Sequence, residues 1–201
     1  MNRKPVESGE ESAKASRSSP SRTVLEYVVL AVVAIAVALL IQAFLVKPYR
    51  IPSPSMENTL LVGDRVLVDR ISWRFSEPAR GDIVVFHSPV PGPVLIKRIV
   101  GMPGDTLSLQ DGAVYVNGER LAEPYVRRVD GHREPTEPFD NGLPWALQQP
   151  YTVPADSYFM MGDNRTDSGD SRQLGPIARD QFVGRGFARY WPLGRVGGLG
   201  E

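Results

Sequence analysis

The hydrophobic pattern is dominated by one unbroken apolar run, YVVLAVVAIAVALLIQAFLV from Tyr27 to Val46, twenty residues with no charge and Gln42 as the one strongly polar side chain. At about 1.5 Å per residue the run measures roughly 30 Å, the thickness of a bilayer's hydrocarbon core. It predicts a transmembrane helix over residues 24–46. A cleaved signal peptide or a buried core helix gives a similar pattern. This run is longer than a usual h-region, however, and Phe44, Leu45, Val46 and Lys47 stand where a small-x-small cleavage site would be needed. The preceding residues 1–23 combine charges and serines with almost nothing large and apolar, which predicts a disordered tail. Lys14, Arg17 and Arg22 on one side of the run, against Lys47 and Arg50 on the other, lean toward a cytoplasmic N-terminus.

Beyond Lys47 the pattern changes to short apolar runs introduced by Gly-Asp: GDRVLV from Gly63, GDIVVF from Gly81, GDTLSL from Gly104 and MGDN around Gly162. Asp111-Gly112 and Asn117-Gly118 separate further alternating runs, the strongest short-range signal for hairpins. No amphipathic pattern of three helical turns occurs in this part. Residues 47–201 therefore read as a mostly β domain, of curled antiparallel sheets or barrel-like, on a single N-terminal helix. Residues 119–154 differ, with six prolines and few apolar runs. They read as a Pro-rich insertion with a mobile interior.

Composition removes whole classes of chemistry. The chain has no cysteine, so disulfide scaffolds, thiolate metal sites and thiol nucleophiles are excluded. The 23 basic residues balance 23 acidic ones, against the basic face a nucleic-acid binder needs. The only histidines, His87 and His132, form no His-x-x-x-His pair. Either could complete a Ser-His-Asp triad, but their settings, after an apolar strand and inside the Pro-rich stretch, favour the surface. No phosphate-binding loop precedes a helix, and no cofactor is implied.

Serine chemistry without histidine is left. In IPSPSMENTL, Pro52 and Pro54 stiffen the chain around Ser53 and place Ser55 nine residues after the apolar run, so no more than roughly 30 Å of chain separates them. The same composition also reads Ser55 as the N-cap of a turn at Met56–Asn58. In VLIKRIVGMPGD, strand alternation puts Leu95, Lys97 and Ile99 on one face and Ile96, Arg98 and Val100 on the other. A buried Lys97 would lose pKa from its usual value of about 10.4 and become able to accept a proton, as in Ser-Lys proteases. At a strand edge it would instead snorkel to water. The segment MGDNRTDSGDSR, Met161–Arg172, carries more charge than a turn needs, though a solvated loop has the same composition. Asn164-Arg165-Thr166 also fits a glycosylation sequon.

In this order, the anchor, PSPSMENTL, GDRVLV, RGDIVVF, IKRIVGMPGD and GDNRTDSGDSR resemble the successive boxes of a type I signal peptidase, a membrane serine protease with a Ser/Lys dyad. The resemblance covers Tyr27 to Leu193 apart from the Pro-rich stretch. It implies Ser55 as nucleophile, Lys97 as general base, and an oxyanion hole from the Ser53 hydroxyl and the Ser55 N–H. It further implies that Ser168 hydrogen-bonds the Lys97 amine, with Asp163, Arg98, Asp170 and Arg172 as an ionic support. Ile51, Pro52, Met56, Leu60, Leu95 and Ile96 would wall a cleft with small pockets for Ala-x-Ala residues. Implied partners are exported preproteins with signal peptides, membrane lipid and a nearby export translocon. The setting would be a cell membrane, or less readily a thylakoid, with the catalytic domain extracytoplasmic. Asn58 stands where the family usually has Pro, and Thr166-Asp167 where it has Asp-Asn. The rivals are a self-cleaving repressor-type Ser/Lys protease and a membrane-tethered β module that only binds.

Overall fold

The computed structural model describes residues 20–199, without the side chains of residues 20–22, 41–44 and 74. The expected disorder of the tail falls on residues 1–19 outside that range, while Pro20–Thr23, also assigned to the tail, are helical. The chain divides after Leu40 into two units. The first holds the helix α1 (Pro20–Phe44) as far as Leu40, and its stretch Thr23–Leu40 is long and apolar enough to cross a bilayer. Apart from half-buried Thr23 its described side chains are exposed, as suits a helix that is apolar on every face.

The second unit is built almost wholly of strands. Along the chain come β1 (Val46–Arg50), β2 (Arg65–Asp69), β3 (Ile83–Phe86) and β4 (Leu95–Gly101), then β5 (Thr106–Gln110), β6 (Ala113–Val116) and β7 (Glu119–Arg120). Two short ribbon strands, β8 (Arg128–Val129) and β9 (His132–Arg133), precede β10 (Tyr151–Thr152) and β11 (Ser157–Met161). After the single turn α2 (Ser171–Leu174) follow β12 (Ile177–Ala178), β13 (Phe182–Trp191) and β14 (Gly197–Gly198). The large sheet has the order β1-β2-β13-β3-β4-β11-β12, with β14 added to β13, and its pairings are antiparallel. The ten-residue β13 shifts register twice against β2 and once against β3, and β11 shifts once against β4. Such irregularities bend strands and raise local twist, which curls the sheet into a half-barrel.

The repeated Gly-Asp has one structural cause in its first three occurrences. Gly63, Gly81 and Gly104 have φ of 92°, 94° and 83°, where a side chain is strained, and the following aspartates reach back to the N–H three residues earlier: Leu61, Ala79 and Met102. Asp111-Gly112 and Asn117-Gly118 have positive φ at both residues, and they join β5 to β6 and β6 to β7 as the pattern predicted.

A second sheet, ordered β10-β5-β6-β7, encloses Leu107, Val114, Val116 and Val153 with Phe159 and Met161 of β11. The Pro-rich stretch thus extends a lobe that begins at Thr106. It also buries Glu123, Val126, Glu134, Thr136, Ala146 and Leu147, so it is a packed covering rather than a loose excursion. Along β4 the expected alternation is observed: Leu95 and Ile99 pack with Val84 and Phe86, and Ile96 packs with Ile83 and Val85.

Candidate active site

Ser55 and Lys97 are brought together. Ser55 lies in the 3-10 turn Pro54–Met56, made rigid by Pro54 at its start, and is 6% exposed. Lys97 lies in β4, where it is paired with Val84 of β3, and the pairing with β11 begins at the next residue, Arg98. It is 3% exposed, and its Nζ is 2.5 Å from Ser55 Oγ. Both bland readings fail on this geometry: Lys97 does not snorkel, and Ser55 is inside the turn, where Ser53 is the N-cap residue and makes no capping bond. The Ser53 hydroxyl stands 3.3 Å from Ser55 Oγ. A module that only binds would leave the Lys97 amine exposed and away from Ser55.

Burial lowers the Lys97 pKa from 10.5 to about 8. The negative charges of Asp170, Asp163 and Asp167 work in the opposite direction, and Arg172 reinforces the fall. The aspartates do not fully restore the charged amine because two of them are committed to arginine. Asp163 accepts from Arg98 Nε at 2.9 Å and Nη2 at 2.7 Å, and from the Thr59 hydroxyl at 2.5 Å. Asp170 accepts from Arg172 Nε and Nη2, each at 2.9 Å, and from the Gly162 N–H at 3.1 Å. Burial pushes the Asp170 carboxyl up, but the Arg172 charge and these hydrogen bonds hold it below the usual carboxylate range. The four side chains of these two pairs are at most 3% exposed. Arg98 also donates to the Gly81 carbonyl and lies over the Tyr125 ring.

Two expectations need correction. Ser168 is buried near the pair, but no hydrogen bond joins its Oγ to Lys97; the hydroxyl instead lies by the Asp170 carboxylate, whose pKa it helps to lower. It lies close against Gly162. Ile51, Met56 and Leu60 do not wall a cleft: at 2%, 0% and 0% exposure they belong to the core beside Val66, Val68 and Ile83. Pro52, Leu95 and Ile96 do line an apolar cavity of about 230 Å³, joined by Tyr49, Val85 and Val94. Leu95 also borders a second cavity of about 250 Å³ whose walls include Val90, Pro91, Gly169 and Leu174. The sequon asparagine, Asn164, is 1% exposed, so the folded chain offers no glycosylation site there. His87 and His132 are at the surface.

Sequence reasoning missed Gly162 and Asn164. The Asn164 N–H and Nδ2 donate to the carbonyls of Ser55 and Pro54, both at 3.2 Å, and so hold the turn that presents Ser55. A Cβ on Gly162 would lie 2.4 Å from the Ser55 carbonyl oxygen and 2.3 Å from Ser168 Oγ, so only glycine permits this approach. The fourth Gly-Asp is thus a close-contact site and not another turn of the same kind. Its extra function was signalled only by its place at the head of the charged segment.

The sequence profile of the family described as signal peptidase, peptidase S26, matches residues 24–191. Over 194 residues the chain is 38% identical to a probable signal peptidase I-2 of Synechocystis, covering 93% of this chain and 82% of that protein. It is 39% identical over 158 residues to a signal peptidase I of Leptolyngbya laminosa, covering 75% and 71%, and 37% identical over 150 residues to signal peptidase IB of Staphylococcus aureus, covering 73% and 78%. A solved signal peptidase I of Enterococcus faecalis is 37% identical, with a TM-score of 0.47 over 55% of this chain and 97% of its own. By the extent of the profile and of these identities, the chain belongs to the signal peptidase family, peptidase S26.

Proposed function

We propose that this chain is a membrane-bound serine endopeptidase that removes N-terminal signal peptides from exported preproteins, with Ser55 as nucleophile and Lys97 as general base. The observation that carries this reading is the 2.5 Å contact between Lys97 Nζ and Ser55 Oγ, with both groups buried. Neutral Lys97 takes the Ser55 proton as Oγ attacks the scissile carbonyl. The negative oxygen that forms receives hydrogen bonds from the Ser53 hydroxyl and the Ser55 N–H. Protonated Lys97 then gives its proton to the leaving amine, the new N-terminus of the mature protein. Lys97, neutral again, activates a water that hydrolyses the acyl-serine and frees the signal peptide.

The two small apolar cavities flanking Leu95 suit short side chains on either side of an intervening residue, the Ala-x-Ala pattern. α1 serves as a single-pass anchor with the N-terminus cytoplasmic and the catalytic unit on the far side of the cell membrane, in contact with lipid and near the export translocon. Ser55 is only nine positions beyond Val46. Holding nucleophile and membrane-emerging substrate at one surface supplies proximity before any specific contact.

Full-length protein in detergent should cut a preprotein after its Ala-x-Ala site, and Ser55→Ala should remove that activity while leaving the circular dichroism spectrum unchanged. Cleavage at the wild-type rate by Ser55→Ala would refute the assignment.

A further inference from the structure

We infer that Glu123, in the Pro-rich stretch, is a positioning residue for the Ser55/Lys97 pair, acting through Arg165. This rests on the Ser55/Lys97 reading above. The Glu123 and Arg165 side chains are both 0% exposed, and the Glu123 carboxylate takes the Arg165 guanidinium on one oxygen and that of Arg133 on the other. Neither Glu123 nor Arg165 contacts Ser55 or Lys97. What Arg165 does is close the turn that supports them: its Nε donates to the Gly162 carbonyl at 2.9 Å, and Nη1 donates to the Thr136 hydroxyl at 2.8 Å. Inside this closed turn lie Asp163, which holds Arg98, and Asn164, which holds the Ser55 and Pro54 carbonyls.

The direction of the coupling follows from charge. A fully buried guanidinium is tolerated only while a carboxylate neutralises it. Without the Glu123 charge, Arg165 must move toward water or admit water, and either change releases the Gly162 carbonyl and loosens the turn behind Ser55. The Pro-rich stretch adds parallel ties, from the Arg127 N–H to the Asp163 carbonyl and from Arg172 to the Glu137 carbonyl, but these carry no neutralising charge. The lobe therefore does more than cover the sheet. Through one ion pair it sets where the nucleophile stands.

The test uses full-length protein in detergent and a preprotein substrate, assayed at least 15 °C below each variant's Tm, as roughly that margin keeps a domain of this size folded. Glu123→Gln is expected to lower kcat about 30- to 100-fold with KM within about twofold, the scale set by an ångström-sized misplacement. Its acid limb should stay where the wild type has it, since Glu123 is not among the charges that shift Lys97. The double variant Glu123→Gln/Arg165→Met removes both buried charges and so folds even if the single variant does not. It should remain as slow as Glu123→Gln, because the bond to the Gly162 carbonyl is absent in both. Recovery of wild-type kcat in the double variant, or wild-type kcat in a folded Glu123→Gln, would overturn the assignment. Ser55→Ala run in parallel separates the two levels: if it is inactive while Glu123→Gln is fully active, only the Glu123 role falls, whereas an active Ser55→Ala refutes the underlying dyad.

Discussion

Lys97→Arg is expected to lower kcat/KM for preprotein cleavage by at least about 10⁴-fold, equivalent to about 5 kcal/mol of transition-state stabilisation. Arginine stays protonated and cannot take the Ser55 proton at any working pH. Lys97→Met should be equally inactive, and it should also be more stable. The reason is linkage. The folded pKa of about 8 lies below the ordinary 10.5, so the unfolded chain binds the proton more tightly. The penalty for burying the ammonium is fully present below pH 8 and is relieved as pH rises from 8 toward 10.5. Two and a half units correspond to about 3 kcal/mol at most at neutral pH, so a gain of about 2 kcal/mol is expected for Lys97→Met at pH 7. Urea unfolding at pH 7 and pH 10 measures this: the wild type should gain stability between the two, and Lys97→Met should not show that gain. A Lys97→Met protein less stable than wild type at pH 7 would mean that the folded state favours the ammonium over the free chain, so that burial does not lower its pKa.

Asp163→Asn should produce the largest loss of stability among single changes near the site, about 3–5 kcal/mol, because it leaves the Arg98 guanidinium buried without its carboxylate. The substituted amide would also present a donor where Arg98 or Thr59 now donates. For a domain of this size the change should lower Tm by about 10 °C or more. The activity that survives at low temperature should carry a second signature. Asp163 raises the Lys97 pKa, so removing its charge should move the acid limb to lower pH. A thermal scan together with a pH–rate profile of the variant checks both. An unchanged Tm would show that Arg98 finds its neutralisation elsewhere.

Local patterns made part of this molecule legible in its sequence. Asp-Gly and Asn-Gly encode their hairpins through backbone conformations that few residues other than Gly, Asn and Asp adopt, so β5, β6 and β7 could be placed from residues alone. Lys97 stood out because a single lysine inside an apolar strand has few stable solutions, and arginine supplies nearly all the other cations of the folded unit. What stayed hidden depends on packing between segments distant in sequence. Alternation told which side of β4 each residue faces, but not that Ile51, Met56 and Leu60 would be sealed under the curled sheet. Glu123 and Arg165 are 42 positions apart, and no periodicity links a proline-rich stretch to a charged loop. Gly162 looked like its three Gly-Asp counterparts because a close backbone approach leaves no trace in a local motif. Ser168 was expected to bond Lys97, but the amine is turned to Ser55 and the serine instead packs on Gly162.

The pH dependence of kcat/KM for a preprotein, measured on the full-length protein in detergent from pH 5 to 10, tests most directly whether neutral Lys97 is the base, since it reports the ionisation of the free enzyme. The expected result is a plateau at high pH and a limb breaking near pH 8, below which activity falls tenfold per unit as Lys97 becomes protonated. A profile flat down to pH 5, or one that breaks near the ordinary histidine value of about 6.5, would contradict it.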